Sequence, residues 1–97
     1  MPVTFLTANY HLRIARPVRN LVETQTMYCR GLGLRVLGSF ENHQGFDGVM
    51  LGTAEGSYHF EFTCCRRHPV TPAPSAEDLA VFYIPSNNPI PAIILKA

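Results

Sequence analysis

The sequence predicts an α+β fold: a βαβββ module with a curved mixed sheet, followed by an incomplete second module. Three observations predict it. His11-Leu12-Arg13-Ile14 alternates polar with apolar side chains, the period-2 pattern of a half-buried strand. Apolar residues then recur at helical spacing from Val18 to Leu32. Finally, three short alternating segments separated by Gly- and Asn-rich turns run to Thr63. At 97 residues the chain suits one domain, whose modest core favours an added source of stability.

The first strand covers Tyr10 to Ala15, with His11 and Arg13 on one face and Leu12 and Ile14 on the other. Arg16-Pro17 breaks it, and Pro17 suits the opening of a helix because its missing N–H would be unpaired there. Val18, Leu21, Val22, Gln25, Tyr28, Cys29 and Leu32 form the expected buried stripe. Gly31 and Gly33 are the expected stop, each able to take a left-handed C-cap conformation. Leu34 to Phe40 reads as the second strand, with Leu34, Val36 and Gly38 on one face and Arg35, Leu37 and Ser39 on the other. A turn at Asn42–Gly45 leads into Phe46–Leu51, where Gly48 predicts a bulge or a close approach. Tyr58 to Thr63 is the clearest strand: Tyr58, Phe60 and Phe62 share one face, His59 and Glu61 the other.

Residues 1–65 are therefore read as a complete module, and 66–97 as a Pro-rich crossing with part of a second. In that second part Leu79–Ile84 is apolar on both faces, which predicts a strand buried on both. The tail from Ile90 to Ala97 fits a short helical turn or an edge strand.

Charge and composition narrow the partners. Eight Lys/Arg against seven Asp/Glu give a net charge of +1 with no basic stripe, which argues against nucleic acid. No apolar run is long enough for a membrane span, and the N-terminal residues lack the pattern of a signal peptide. Three cysteines, two of them adjacent at Cys64 and Cys65, do not make a disulfide framework. The expectation is a reduced cytoplasmic protein.

His11 and Glu61 are the candidate catalytic pair, an imidazole and a carboxylate on neighbouring strands. The same two groups suit a divalent cation, although two ligands fall short of the three that catalytic zinc sites use. Arg13 shares the His11 face and is a candidate substrate contact or partner for Glu61. His59 faces the same way as Glu61, and Tyr28 lies on the helix. Both are candidate substrate contacts, weighed against an exposed strand histidine and a core tyrosine.

These residues carry a resemblance. The strand His11-Leu12-Arg13-Ile14, the helix end Tyr28-Cys29-Arg30-Gly31-Leu32-Gly33-Leu34 and the strand His59-Phe60-Glu61-Phe62-Thr63 resemble the first module of the vicinal oxygen chelate superfamily. That superfamily includes glyoxalases, bleomycin-resistance proteins and extradiol dioxygenases. The resemblance covers residues 10–63, with 79–86 resembling the opening strand of a second module. It implies four metal ligands from two modules, His11 and Glu61 being the first module's pair. Leu79 stands near the expected third ligand and cannot bind a metal.

The implied cofactor is a divalent metal (zinc, nickel, manganese or iron), and the half-complete ligand set weighs towards none bound. The implied function is small-molecule binding in a glyoxalase-like cleft, with metal-dependent lyase, isomerase or dioxygenase chemistry open. Its rivals are a metal-free binding or sequestration protein of the bleomycin-resistance type and a non-catalytic assembly module. The expected partners are a small-molecule ligand and a second copy in a homodimer, with the tail or fifth strand open to exchange.

Overall fold

The computed structural model describes residues 10–85, 87 and 92–96. Its elements are β1 (Leu12–Pro17), α1 (Leu21–Leu32), β2 (Arg35–His43), β3 (Phe46–Gly52), β4 (Tyr58–Cys65), β5 (Leu79–Tyr83) and β6 (Ala92–Lys96). The first four strands form one sheet in the order β1-β4-β3-β2. β1 runs parallel to β4, whereas β3 runs antiparallel to both of its neighbours, β4 and β2. This is the mixed sheet of a glyoxalase-like α+β module.

Alternation along the strands divides the sheet into a helix-covered face and an open face. Val49, Leu51, Phe60 and Phe62 point towards α1 and are buried with Tyr28 and Leu34. Leu51 is fully enclosed, a burial worth about 1.5–3 kcal/mol. Tyr28 packs on Phe60 and Phe62 with ring centroids 5.3 and 4.7 Å away. Aromatic packing thus fixes the helix against the two central strands.

The helix boundaries differ from the sequence reading. Pro17 closes β1, because the Val18 N–H continues the ladder to the Thr63 carbonyl at 2.9 Å. Asn20 is the N-cap, its side chain accepting the Glu23 N–H at 2.9 Å. At the other end only Gly33 is left-handed, with φ 70°, and its N–H closes on the Cys29 carbonyl. Gly31 lies within the helix. Val22 is 76% exposed, outside the arc that one sheet can cover.

β2 holds a second correction. Its register against β3 shifts between Val36 and Gly38, so the strand reverses its facing at Leu37. Leu34 is buried under α1, but Gly38 and Phe40 pair with Met50 and Gly48 and face the open side. The predicted hairpin turn is present, with Asn42, Gln44 and Gly45 at φ 48°, 52° and 87°. It is braced by Asp47, which accepts the Asn42 N–H and a forked pair of bonds from the Arg66 guanidinium.

β5 and β6 form a separate antiparallel pair, so the tail is a strand. Residues 86, 88–91 and 97 of the predicted turn and tail lie outside the described residues, as does the N-terminal stretch before residue 10. β5 is not covered on both faces. Phe82 packs on Tyr58 and Phe60, with centroids 6.1 and 6.2 Å away, while Leu79, Val81 and Tyr83 are 46%, 39% and 85% exposed.

The Arg66 guanidinium and the Asn42 N–H hold the Asp47 carboxyl below the ordinary carboxylate range. A depressed folded-state pKa contributes stability above the unfolded value, and that contribution is lost as pH falls through the folded one. Asp47→Asn is therefore expected to lower the melting temperature at neutral pH. The gap to the parent chain should close below about pH 4, as followed by thermal melts across pH.

Candidate functional site

The open face takes its chemistry from the β1–β4 ladder. The register pairs Leu12 with Tyr58, Arg13 with His59 and Ala15 with Glu61. Its ends are fixed by the Leu12 N–H on the Ser57 carbonyl at 2.8 Å and the Val18 N–H on Thr63. Because parallel strands keep their alternation in step, the odd-numbered residues of both strands emerge together on the open face. His11, Arg13, His59 and Glu61 become neighbours across 48 positions of chain.

Two contacts join them, each along the same diagonal of the ladder. His11 Nε2 lies 2.6 Å from His59 Nδ1, with the rings 4.9 Å apart and tilted by 33°. One nitrogen must carry the proton and the other accept it. Arg13 Nη1 stands 3.7 Å from Glu61 Oε2, an ion pair rather than a hydrogen bond. The Glu61 side chain is 15% exposed and that of Arg13 is 60% exposed, so the carboxylate is sheltered while its partner is in solvent. An ion pair with one such exposed end contributes little to stability.

Beside this polar group runs an apolar strip that sequence reasoning missed. Gly38, Gly48 and Gly52 lie on β2 and β3, and each is covered by one apolar side chain. The Phe40 ring occupies the space a Cβ on Gly48 would need. Met50 Cε and Leu37 Cδ1 stand 2.9 Å from the corresponding positions at Gly38 and Gly52. Met50 pairs across the ladder with Glu61, and Gly52 with His59, so the strip adjoins the polar group. The signal in the sequence was the glycines, of which Gly48 alone read as a close approach.

Tyr28 does not join this face. It lies on the sheet-facing side of α1, 5% exposed, and burial pushes its hydroxyl above the ordinary tyrosine value. The thiols stand apart too. Cys64 donates to the Val18 carbonyl, and burial raises its pKa, which disfavours the reactive thiolate.

A catalytic metal needs at least three protein ligands converging on one point. Among the described residues, no three His, Cys, Asp or Glu side chains form a group that could hold a metal ion. Two nitrogens bound to one tetrahedral zinc would lie about 3.3 Å apart, whereas His11 and His59 meet at hydrogen-bond distance. Glu61 is engaged by Arg13. As arranged in one chain, these residues do not fit a catalytic metal.

The family model of the YycE-like N-terminal domain matches residues 12–63, from the first residue of β1 to Thr63 of β4. The chain belongs to this family. It is 41% identical over 85 residues to the uncharacterized protein YycE of Bacillus subtilis, covering 88% of this chain and 61% of that one. This YycE-like chain thus spans about three fifths of the relative's length. It also superposes on a crystal structure of a Bacillus subtilis YycE protein with a TM-score of 0.69 and 42% identity. That match covers 79% of this chain and 56% of the other. The crystallised protein is of unknown function and is described as a candidate glyoxalase or fosfomycin resistance protein. The likeness supports the vicinal oxygen chelate superfamily. Among the described residues no helix is long and apolar enough to cross a membrane.

The histidine contact has a direct spectroscopic consequence. With both imidazoles neutral, ring 15N shifts should show one protonated and one bare nitrogen at His11 Nε2 and His59 Nδ1. His59→Ala should return His11 to the tautomer mixture of a free imidazole. Like states at the two nitrogens, or a His11 spectrum unchanged by the substitution, would contradict the contact.

Proposed function

We propose that the open face binds a small organic molecule with a hydrogen-bonding end and an apolar end. The observation that carries this is the side-by-side placement of the His11–His59 and Arg13–Glu61 pairs with the strip of Phe40, Met50 and Leu37. Polar groups fix the orientation of a ligand while apolar neighbours supply contact area, the usual division of labour in a small-molecule site. The description of YycE as a candidate glyoxalase or fosfomycin resistance protein supports the same class of ligand for this chain.

The two histidines also suit proton transfer. A proton held between two imidazoles is available to one side of a ligand, and Glu61 is the sheltered carboxylate nearby. Binding is the primary role in this reading, and proton transfer at the bound molecule is the chemistry it permits. β1 is an edge of the sheet, and a second copy is the partner proposed to adjoin it.

A thermal-shift screen tests the reading, with fosfomycin, the methylglyoxal–glutathione hemithioacetal and catechol as probes. Each is run with and without zinc, nickel, manganese or iron(II). At least one probe should raise the melting temperature of the parent chain. His59→Ala and Glu61→Ala should each weaken that probe about tenfold, the loss of one charge-assisted or buried hydrogen bond. No stabilisation by any probe, or equal stabilisation of all three proteins, would remove the open face as the ligand site.

A further inference from the structure

A cavity lies on the helix-covered side of the sheet, away from the histidines. This open cavity of about 490 Å³ lies between β1, the middle of α1 and the Pro-rich crossing that follows β4. That volume is within the range of small-molecule sites. Its lining includes the buried Tyr28 and Phe62, the exposed Met27 and Val70, and Pro72 and Pro74 of the crossing as the far wall. The two prolines restrict the backbone of that wall.

Its charges are unevenly placed. Arg16 and Arg19 both line the cavity, and among the described residues neither has a carboxylate within ion-pair distance. This contrasts with Arg13 and Arg66, which are both paired. The one acid in the lining is Asp78. Its carboxylate accepts the Ser75 N–H at 2.6 Å, which commits it to the local turn. The charge of Arg16 favours the ionised forms of both Tyr28 and Asp78. Two arginines against one acid leave the cavity with a single excess positive charge.

We propose that this cavity binds a small aromatic monocarboxylate, its ring against the exposed side chains of Met27 and Val70 and the two prolines, and its carboxylate on Arg16 and Arg19. Tyr28 and Phe62 are nearly closed off beneath the cavity, so the apolar contact for a flat ring comes from Met27, Val70, Pro72 and Pro74. A guanidinium fork matches a carboxylate in shape and charge, and the single excess charge matches one anion. The site is separate from the open face and does not depend on how that face is used.

Phenylacetate is the test probe and phenylacetamide its neutral counterpart, each titrated into the 15N-labelled chain and followed by amide chemical shifts. Phenylacetate should shift Thr24, Met27, Val70, Thr71 and Ala73 saturably, and phenylacetamide should bind roughly tenfold more weakly. Arg16→Gln and Arg19→Gln should each weaken phenylacetate by a similar factor while leaving phenylacetamide unchanged. Equal affinity for the two probes would overturn the proposal, and that comparison needs no variant. Saturable shifts confined to the open face, or no saturable shift at all, would overturn it as well.

Discussion

The parallel pairing of β1 with β4 is the constraint on which the rest of the structure depends. It joins strands more than 40 residues apart, and a helix must cross between them for the pairing to form. Once the register is set with Leu12 opposite Tyr58, Ile14 and Phe60 face α1 together while Arg13 and His59 face outwards together. A slip of one residue in β1 would send His11 and Arg13 under the helix and Leu12 and Ile14 into the open. Burial of Phe60 and Phe62 against Tyr28 opposes a matching slip in β4. The aromatic core and the polar open face are two consequences of one register.

The other half of the open face depends on a local irregularity. The shift at Leu37 turns Phe40 away from the core and lays it over Gly48, which has no side chain to exclude it. Without the shift Phe40 would face the helix side, and the outer face of β2 would be largely polar. The bulge therefore makes the face amphiphilic. The Asp47–Arg66 fork and the left-handed turn at Gln44–Gly45 hold the far end of the same hairpin.

Much of this was legible in the sequence because alternation is a local signal. Tyr58 to Thr63 announces its two faces residue by residue, and the grouping of His11, Arg13, His59 and Glu61 followed from two such strands. The errors fall where a neighbour decides. Leu37 is extra only relative to β3, so nothing in Val36-Leu37-Gly38 alone marks the reversal. Pro17 could open a helix or end a strand, and the Thr63 carbonyl beyond it decided for the strand. Gly31 could stop the helix, but Gly33 closes it on Cys29. Leu79, Val81 and Tyr83 looked buried because they are apolar, yet only Phe82 and its side of β5 meet the aromatic core. The direct His11–His59 contact was also beyond reach, since it needs the diagonal of a ladder whose register was unknown.

The most direct test of this account is the β1–β4 register itself, read as scalar couplings across backbone hydrogen bonds. Couplings are expected from the Leu12 amide nitrogen to the Ser57 carbonyl carbon and from Val18 to Thr63. Couplings displaced by one residue along either strand would place the histidines and Arg13 on different faces from those described, and would contradict it.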